Sequence, residues 1–194
     1  MKGITMNSED MDMDIRRAAG QVPEAADAGA WQGFAKRVFD DLTAALRDGR
    51  TLEDGERMVL AVAMRDRLAL RDAVILLAVD GGDADAFTGF AVRPHETSNR
   101  LRDSLTRMFE CARWQCEPTR IEGMTRIMLD VAEHAPGEYA AQPFAVAAYL
   151  MWATGDEACA TLALHALVAD GDCTLAAMML AAQDRGVYPA HCSR

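Results

Sequence analysis

Positive charge is the first thing in short supply in this chain. Its 20 lysines and arginines face 30 aspartates and glutamates, a formal net charge of -10. An acidic surface repels phosphate backbones, so nucleic acid is not an expected partner. There is no basic amphipathic helix to sit on anionic lipid. The longest apolar run, Phe144 to Ala153, has ten residues, where a spanning helix needs about 20. A membrane is therefore not an expected partner either. The stretch from Met1 to Asp14 is polar and acidic and lacks the basic start and apolar run of a signal peptide. The expectation is a cytoplasmic protein.

Patterns that carry chemistry are missing as well. No C-x-x-C or H-x-x-x-H pair occurs, and Cys111, Cys116, His134, His165, His191 and Cys192 fall on several elements, so no metal site is expected. Gly81-Gly82 follows a helical pattern instead of preceding one, which excludes a phosphate cradle. Asp80, Asp83 and Asp85 suggest calcium, but position twelve of such a loop would be Ala91 instead of a bidentate Glu. A solvated acidic loop is the better reading. The five cysteines are odd in number and irregularly spaced, which fits reduced thiols better than a disulfide framework. Cys159 and Cys173 sit in alanine-rich runs and read as small buried hydrophobes. No catalytic residue and no cofactor is expected.

What the chain does have is helical periodicity. At 194 residues and 51% hydrophobic, it is long enough to bury roughly 70% of its unfolded surface in one domain. No β-branched alternation of period two occurs. Residues 1–29 lack sustained periodicity and read as a flexible lead-in; residues 30–190 read as one helical domain. A first stripe runs Trp31, Phe34, Ala35, Val38, Phe39, Leu42, Ala45 and Leu46, ended by Gly49. Thr51 and Asp54 have capping-box spacing for a second helix, central because Met58 to Met64 is apolar all round and broken near Arg67. A third covers about 70–79. Residues 80–94 read as loop with a short helical piece near Phe87. A helix with the stripe Leu101, Leu105, Met108, Phe109 and Ala112 spans about 97–115. Another opens on a Thr119/Glu122 box and carries Ile121, Met124, Ile127, Met128, Val131 and Ala132. The last three cover about 141–153, 156–169 and 173–185, with Asp156 and Asp172 as N-caps. The prediction is an all-α fold of about eight helices in antiparallel hairpins, a bundle with slight solenoid character.

The motif Trp152-Ala-Thr-Gly155-Asp156-Glu-Ala158-Cys-Ala160, then Ala163-Leu164, Ala166-Leu167, Asp170, Leu175-Ala176, Gly186 and Pro189, resembles the C-terminal part of an uncharacterised actinobacterial family, domain of unknown function 4192. Arg71-Asp72-Ala73-Val74 resembles an arginine–aspartate motif further upstream in that family. The resemblance spans roughly residues 65–189 and implies an all-helical module with no known activity. Longer members carry a strand-rich N-terminal half that has no counterpart here. The small residues of the same hairpin also give it weak tetratricopeptide-like character, without the sustained 34-residue period of a true array.

Five residues are candidate ligand or partner contacts: Arg65, Arg71, Asp72, Tyr149 and Trp152. Arg65 and Arg71, with Asp66 and Asp72, flank an apolar run and read either as a charged lip over a cleft or as ion pairs anchoring a helix junction, the second being the commoner arrangement. Tyr149 and Trp152 lie three apart on one helical face, either closing the core or lining a pocket. Most of the methionines fall on core stripes and fill gaps. The expected function is a non-catalytic helical module that binds or scaffolds a protein or peptide partner. The alternatives are a small-ligand binder or enzyme with a pocket near Arg71 and Trp152, and an oligomerisation domain, such as a homodimer paired through an exposed stripe at Trp31 and Phe34.

Overall fold

The computed structural model describes residues 8–24, 26–82, 84–111 and 117–192. Among them there is no strand. The ten helices are α1 (Ser8–Ala19), α2 (Ala28–Asp48), α3 (Asp54–Asp66), α4 (Leu68–Asp80), α5 (Ala84–Val92), α6 (Pro94–Glu110), α7 (Pro118–His134), α8 (Ala141–Thr154), α9 (Ala158–Ala169) and α10 (Thr174–Asp184). Two 3-10 turns, Gly137–Ala140 and Ala190–Cys192, complete the order. The expected all-α class holds. No helix among the described residues is long and apolar enough to cross a membrane.

Helices α4 and α8 sit at the centre because long stretches of both are apolar on every side, the charges of α4 being confined to Arg71, Asp72 and Asp80. In α4 every residue from Ala73 to Val79 is buried; in α8 only Phe144, Met151 and Thr154 escape burial. A helix apolar all round must be enclosed. Helix α8 is accordingly wrapped by α3, α4, α7, α9 and α10, while α4 also meets α5, which packs in turn on α2. Ala145, Ala148, Ala163 and Ala166 are all fully buried, and side chains this small permit α8 and α9, which are in contact, to approach towards the short end of the usual helix spacing of about 8–10 Å. Met64, Met108, Met124 and Met128 are fully buried gap-fillers, whereas Met178 is exposed.

Several local expectations change. The predicted lead-in carries α1, whose stripe of Met11, Ile15 and Ala18 is too sparse to signal a helix alone; packing on α3 supplements it. The short helical piece expected near Phe87 is present as α5, and it takes up most of the 80–94 stretch otherwise expected to be loop. Asp80 is not solvated: its carboxylate is 8% exposed and accepts from Ser104 Oγ at 2.8 Å and Arg107 Nη2 at 3.1 Å, tying α4 to α6. The box that opens α3 is Glu53 with Glu56, whose Oε2 accepts the Glu53 N–H at 2.9 Å, in place of Thr51 with Asp54. Helix α7 starts on Pro118 at its first position, one residue before the expected Thr119 cap. Asp170, and not Asp172, accepts the hydrogen bond at the α9–α10 turn, from Asp172 N at 3.0 Å. Trp31 and Phe34 are 6% and 3% exposed, with Trp31 Nε1 donating to the Ala91 carbonyl at 3.2 Å. They pack α2 inward, so the exposed stripe imagined there does not exist. Asp83, Cys116, residues 112–115 and the side chains of Leu101 and Leu105 lie outside the described residues.

The end of α4 shows how charge closes a buried helix terminus. Arg120 on α7 donates from Nε to the Ala78 carbonyl at 2.8 Å and from Nη2 to the Val79 carbonyl at 3.1 Å. A cation there satisfies orphan acceptors and offsets the negative end of the helix dipole. Gly81, at φ 65°, makes the room: a Cβ added there would lie 2.7 Å from Arg120 Nη1. Gly81→Ala is expected to strain the backbone and push out the guanidinium, lowering stability by more than about 1 kcal/mol, measurable by urea denaturation.

Candidate functional site

Arg71 is 7% exposed on α4, and three of its bonds stay within the chain. Nε and Nη2 donate to Asp72 Oδ1 at 2.9 and 2.6 Å, and Nη1 donates to Gln142 Oε1 on α8 at 3.1 Å. The pair therefore stitches α4 to α8. Arg65 donates to Glu138 Oε1 at 2.8 Å, lies 3.6 Å from Asp66 and stacks 5.1 Å from the Tyr139 ring centroid. It holds the 3-10 turn against α3.

Trp152 and Tyr149 belong to a different place. Trp152 Nε1 donates to the Val187 carbonyl at 2.7 Å, and its ring meets Tyr149 at 5.5 Å and Phe109 at 5.7 Å. Tyr149 points its hydroxyl at Met108 Sδ, 3.9 Å away. Gln142, beside Arg71, and Trp152 are ten residues apart on α8, about 15 Å at 1.5 Å per residue. The five residues thus fall into separate clusters: Arg71 with Asp72, Arg65 by itself, and Tyr149 with Trp152.

The residues behind the family resemblance build a corner. Gly155 ends α8 in the left-handed region at φ 75°, with the Asp156 N–H returning to the Met151 carbonyl at 2.9 Å. Asp156 Oδ1 then accepts the Ala158 N–H at 2.8 Å, starting α9. Pro189 is buried, and Cys192 Sγ sits 3.1 Å from where a Gly155 Cβ would be. Trp152 pins this tail back on α8. Burial pushes the Cys159 thiol up to about 11, helped by Asp156; protonated at neutral pH, it is a packing group and a poor nucleophile.

One cleft near the start of the fold was not legible in the sequence. A cavity of about 260 Å³ lies between α2 and α3, lined by Phe34, Val38, Leu42, Leu52, Val59 and Leu60 as an apolar floor. Gln21, Arg37, Asp41 and Glu56 supply its polar groups. Phe34, Leu42, Leu52 and Leu60 are each 5% exposed or less, so the floor is rigid core. The capping bond to Glu53 fixes Glu56. Asp41 is held above the ordinary carboxylate range, first by burial and then by the nearby charges of Glu56 and Asp40, which outweigh Arg50 and Arg37. Carboxylates therefore set the sign of the rim.

A second cavity of about 370 Å³ meets the first at Gln21 and Gly55 and runs between α1 and α3 to His134. Its charges are internally paired: Arg17 with Asp14 at 3.1 Å, and Arg57 with Asp54 and, at 2.8 Å, with Asp130. A third, of about 390 Å³, is lined by Met151, Thr154, Asp156, Glu122 and His191. None of these three is lined by Arg65, Arg71, Asp72, Tyr149 or Trp152.

Two substitutions separate scaffold from cleft. Arg71→Met strands Gln142 and Asp72 and is expected to cost about 2 kcal/mol, against about 0.5 kcal/mol for the more exposed Arg65→Met; chemical denaturation of both variants checks the ranking. Asp41 ionises less readily in the fold than in the unfolded chain, so its ionisation costs stability at pH above its raised value. Below the ordinary 3.8, both states are protonated and the cost vanishes. Asp41→Asn is thus expected to stabilise at pH 7 by up to about 1 kcal/mol. The gain should fade as pH drops through the raised value towards 3.8, read from melting curves across pH.

No curated protein matches this chain, and no solved structure does. The family model described as domain of unknown function (DUF4192) matches residues 5–190, beginning some sixty residues before the motifs that carry the resemblance. With nearly its whole length covered, this chain belongs to the DUF4192 family.

Proposed function

We propose that this chain is a non-catalytic helical module that holds a protein or peptide partner, with the α2–α3 cleft as the seat. The observation that carries the reading is the cleft's construction: a rigid apolar floor with Asp41 and Glu56 at its rim. A cavity of about 260 Å³ takes one or two large side chains and is at the small end for a drug-sized ligand. The fitting occupant is a peptide segment with an apolar anchor and an adjacent basic residue. The anchor would rest on Phe34, Leu42 and Leu60, and the cation would relieve the crowding of the two carboxylates.

A small-ligand or catalytic pocket near Arg71 and Trp152 has less in its favour. Both side chains are hydrogen-bonded within the fold and lie at separate positions along α8. A homodimer through Trp31 and Phe34 would need those side chains outside, and they are buried. We read the module as cytoplasmic, on its free cysteines, and as having no nucleic-acid partner, on its excess of ten negative charges.

The test is selection from a random displayed-peptide library on the full chain, followed by affinity measurement. Enriched peptides should pair an apolar with a basic residue. Their binding should weaken at least tenfold in Asp41→Lys, which reverses the rim charge, and in Val59→Trp, which fills the half-buried mouth. Peptides that bind both variants as tightly as the parent chain, or a selection that enriches nothing, would refute the reading.

A further inference from the structure

Helices α9 and α10 break a rule that the rest of the fold obeys. A quarter of the chain is charged, yet no Asp, Glu, Lys or Arg occurs from Ala158 to Ala169 or from Cys173 to Gln183. Helices this apolar on every side are ordinarily enclosed, as α4 and α8 are. Here only one side is covered. Both helices pack on α8 and on each other, burying Cys159, Ala163 and Ala166 of α9 and Leu175, Ala176 and Met179 of α10. The outward side stays open: Val168 is 88% exposed, Met178 55% and Leu164 53%. Leu164 and Val168 lie one turn apart on α9, with Thr161, His165 and Thr174 as exposed polar groups on the two helices; exposed apolar side chains gathered in this way mark an interaction site.

The frame of that surface says what can cover it. Asp156 and Glu157 stand at the start of α9, Asp170 and Asp172 at the turn, and Asp184 at the end of α10. From Asp156 to Arg185 the basic residues in sequence are His165 and Arg185, and the buried Arg71 of α4 reaches the Cys173 end. The hairpin is antiparallel, so carboxylates close both ends of an apolar strip about 18 Å long. A second copy would bring the same acidic ends on a chain of net charge -10, and anionic lipid would meet the same repulsion. Complementarity asks for an uncharged middle and positive ends.

We infer that the outward face of the α9–α10 hairpin is a second docking surface, which receives an amphipathic helix of another protein, apolar along its middle and basic at both ends. Apolar burial on Leu164, Val168 and Met178 supplies affinity, and the carboxylates set orientation and partner choice. The site shares no element with the α2–α3 cleft and stands or falls apart from it.

The experiment uses two synthetic helical peptides of about 18 residues, one long enough to span the strip, with an identical leucine–alanine stripe. One carries lysines at both ends and the other glutamates. Titration into the full chain by calorimetry should show binding of the lysine-ended peptide alone, weakening several-fold as salt rises. Val168→Glu and Leu164→Glu should each reduce it at least tenfold with unchanged circular dichroism, because both positions are exposed. Equal binding of the two peptides, binding unaffected by Val168→Glu, or no binding at all would overturn the inference. So would a dimer of the unliganded chain that Val168→Glu dissolves, or Val168-dependent association with phosphatidylserine vesicles.

Discussion

The structure depends on α8 having no side that tolerates water. From Ala145 to Ala153 all but one residue is buried, so the helix exists only inside a sheath of other helices. Alanine decides how close that sheath comes. Where α8 and α9 meet, alanine side chains allow near-contact of backbones, and many small dispersion contacts replace a few large ones. Overpacking at this seam would push α9 off and open the core. Everything downstream follows from that enclosure: α7, α9 and α10 are placed by α8, and α4 by both α8 and α5.

Enclosing two apolar helices leaves their ends and neighbours with polar groups that must be paired, and the most conspicuous charges serve that purpose. Arg120 closes the carbonyls of α4, Asp80 collects Ser104 and Arg107, and Arg71 bridges Asp72 to Gln142. Each would be expensive to leave unpaired in a low-dielectric interior. Arginine suits the task because its fork reaches several acceptors without losing its charge. The corner of Trp152, Gly155, Asp156 and Pro189 does the same by backbone geometry, turning the chain and fastening its tail.

The helices were legible wherever one stripe alternated with a polar face, as in α2 and α7; α6 was found but ends at Glu110 instead of near 115, and of its expected stripe Met108 is buried while Phe109 is 44% exposed. They were less legible where context decides. Helix α1 carries an apolar stripe too thin to announce itself, and α5 sits in a stretch whose glycines and aspartates read as loop until Phe87 and Phe90 find the core. The candidate side chains stood out because charge and aromatic rings near apolar runs are rare, and rarity does not separate a ligand contact from a structural bond. The α2–α3 cleft could not be read at all: Asp41 and Glu56, or Phe34 and Leu60, come together only once two helices are placed. The α9–α10 surface misleads in the opposite way. Its composition reads as core, and only solvent exposure shows that one side lacks a cover.

The two surfaces differ in kind, which bears on how such a module would work. The cleft has a buried apolar floor and, as a binding site, would favour one anchored side chain, where a misfit costs a full desolvated contact. As a docking surface, the hairpin face would spread its energy over several apolar contacts and would rely on carboxylates at its ends for selectivity. They rest on different helices. Occupying one changes no contact in the other, so the free energies should add, with no coupling unless the core between them rearranges. A chain that joins two partners without coupling their affinities acts by raising the local concentration of one near the other, and a rigid core such as the one around α8 suits that task because it fixes the distance between them.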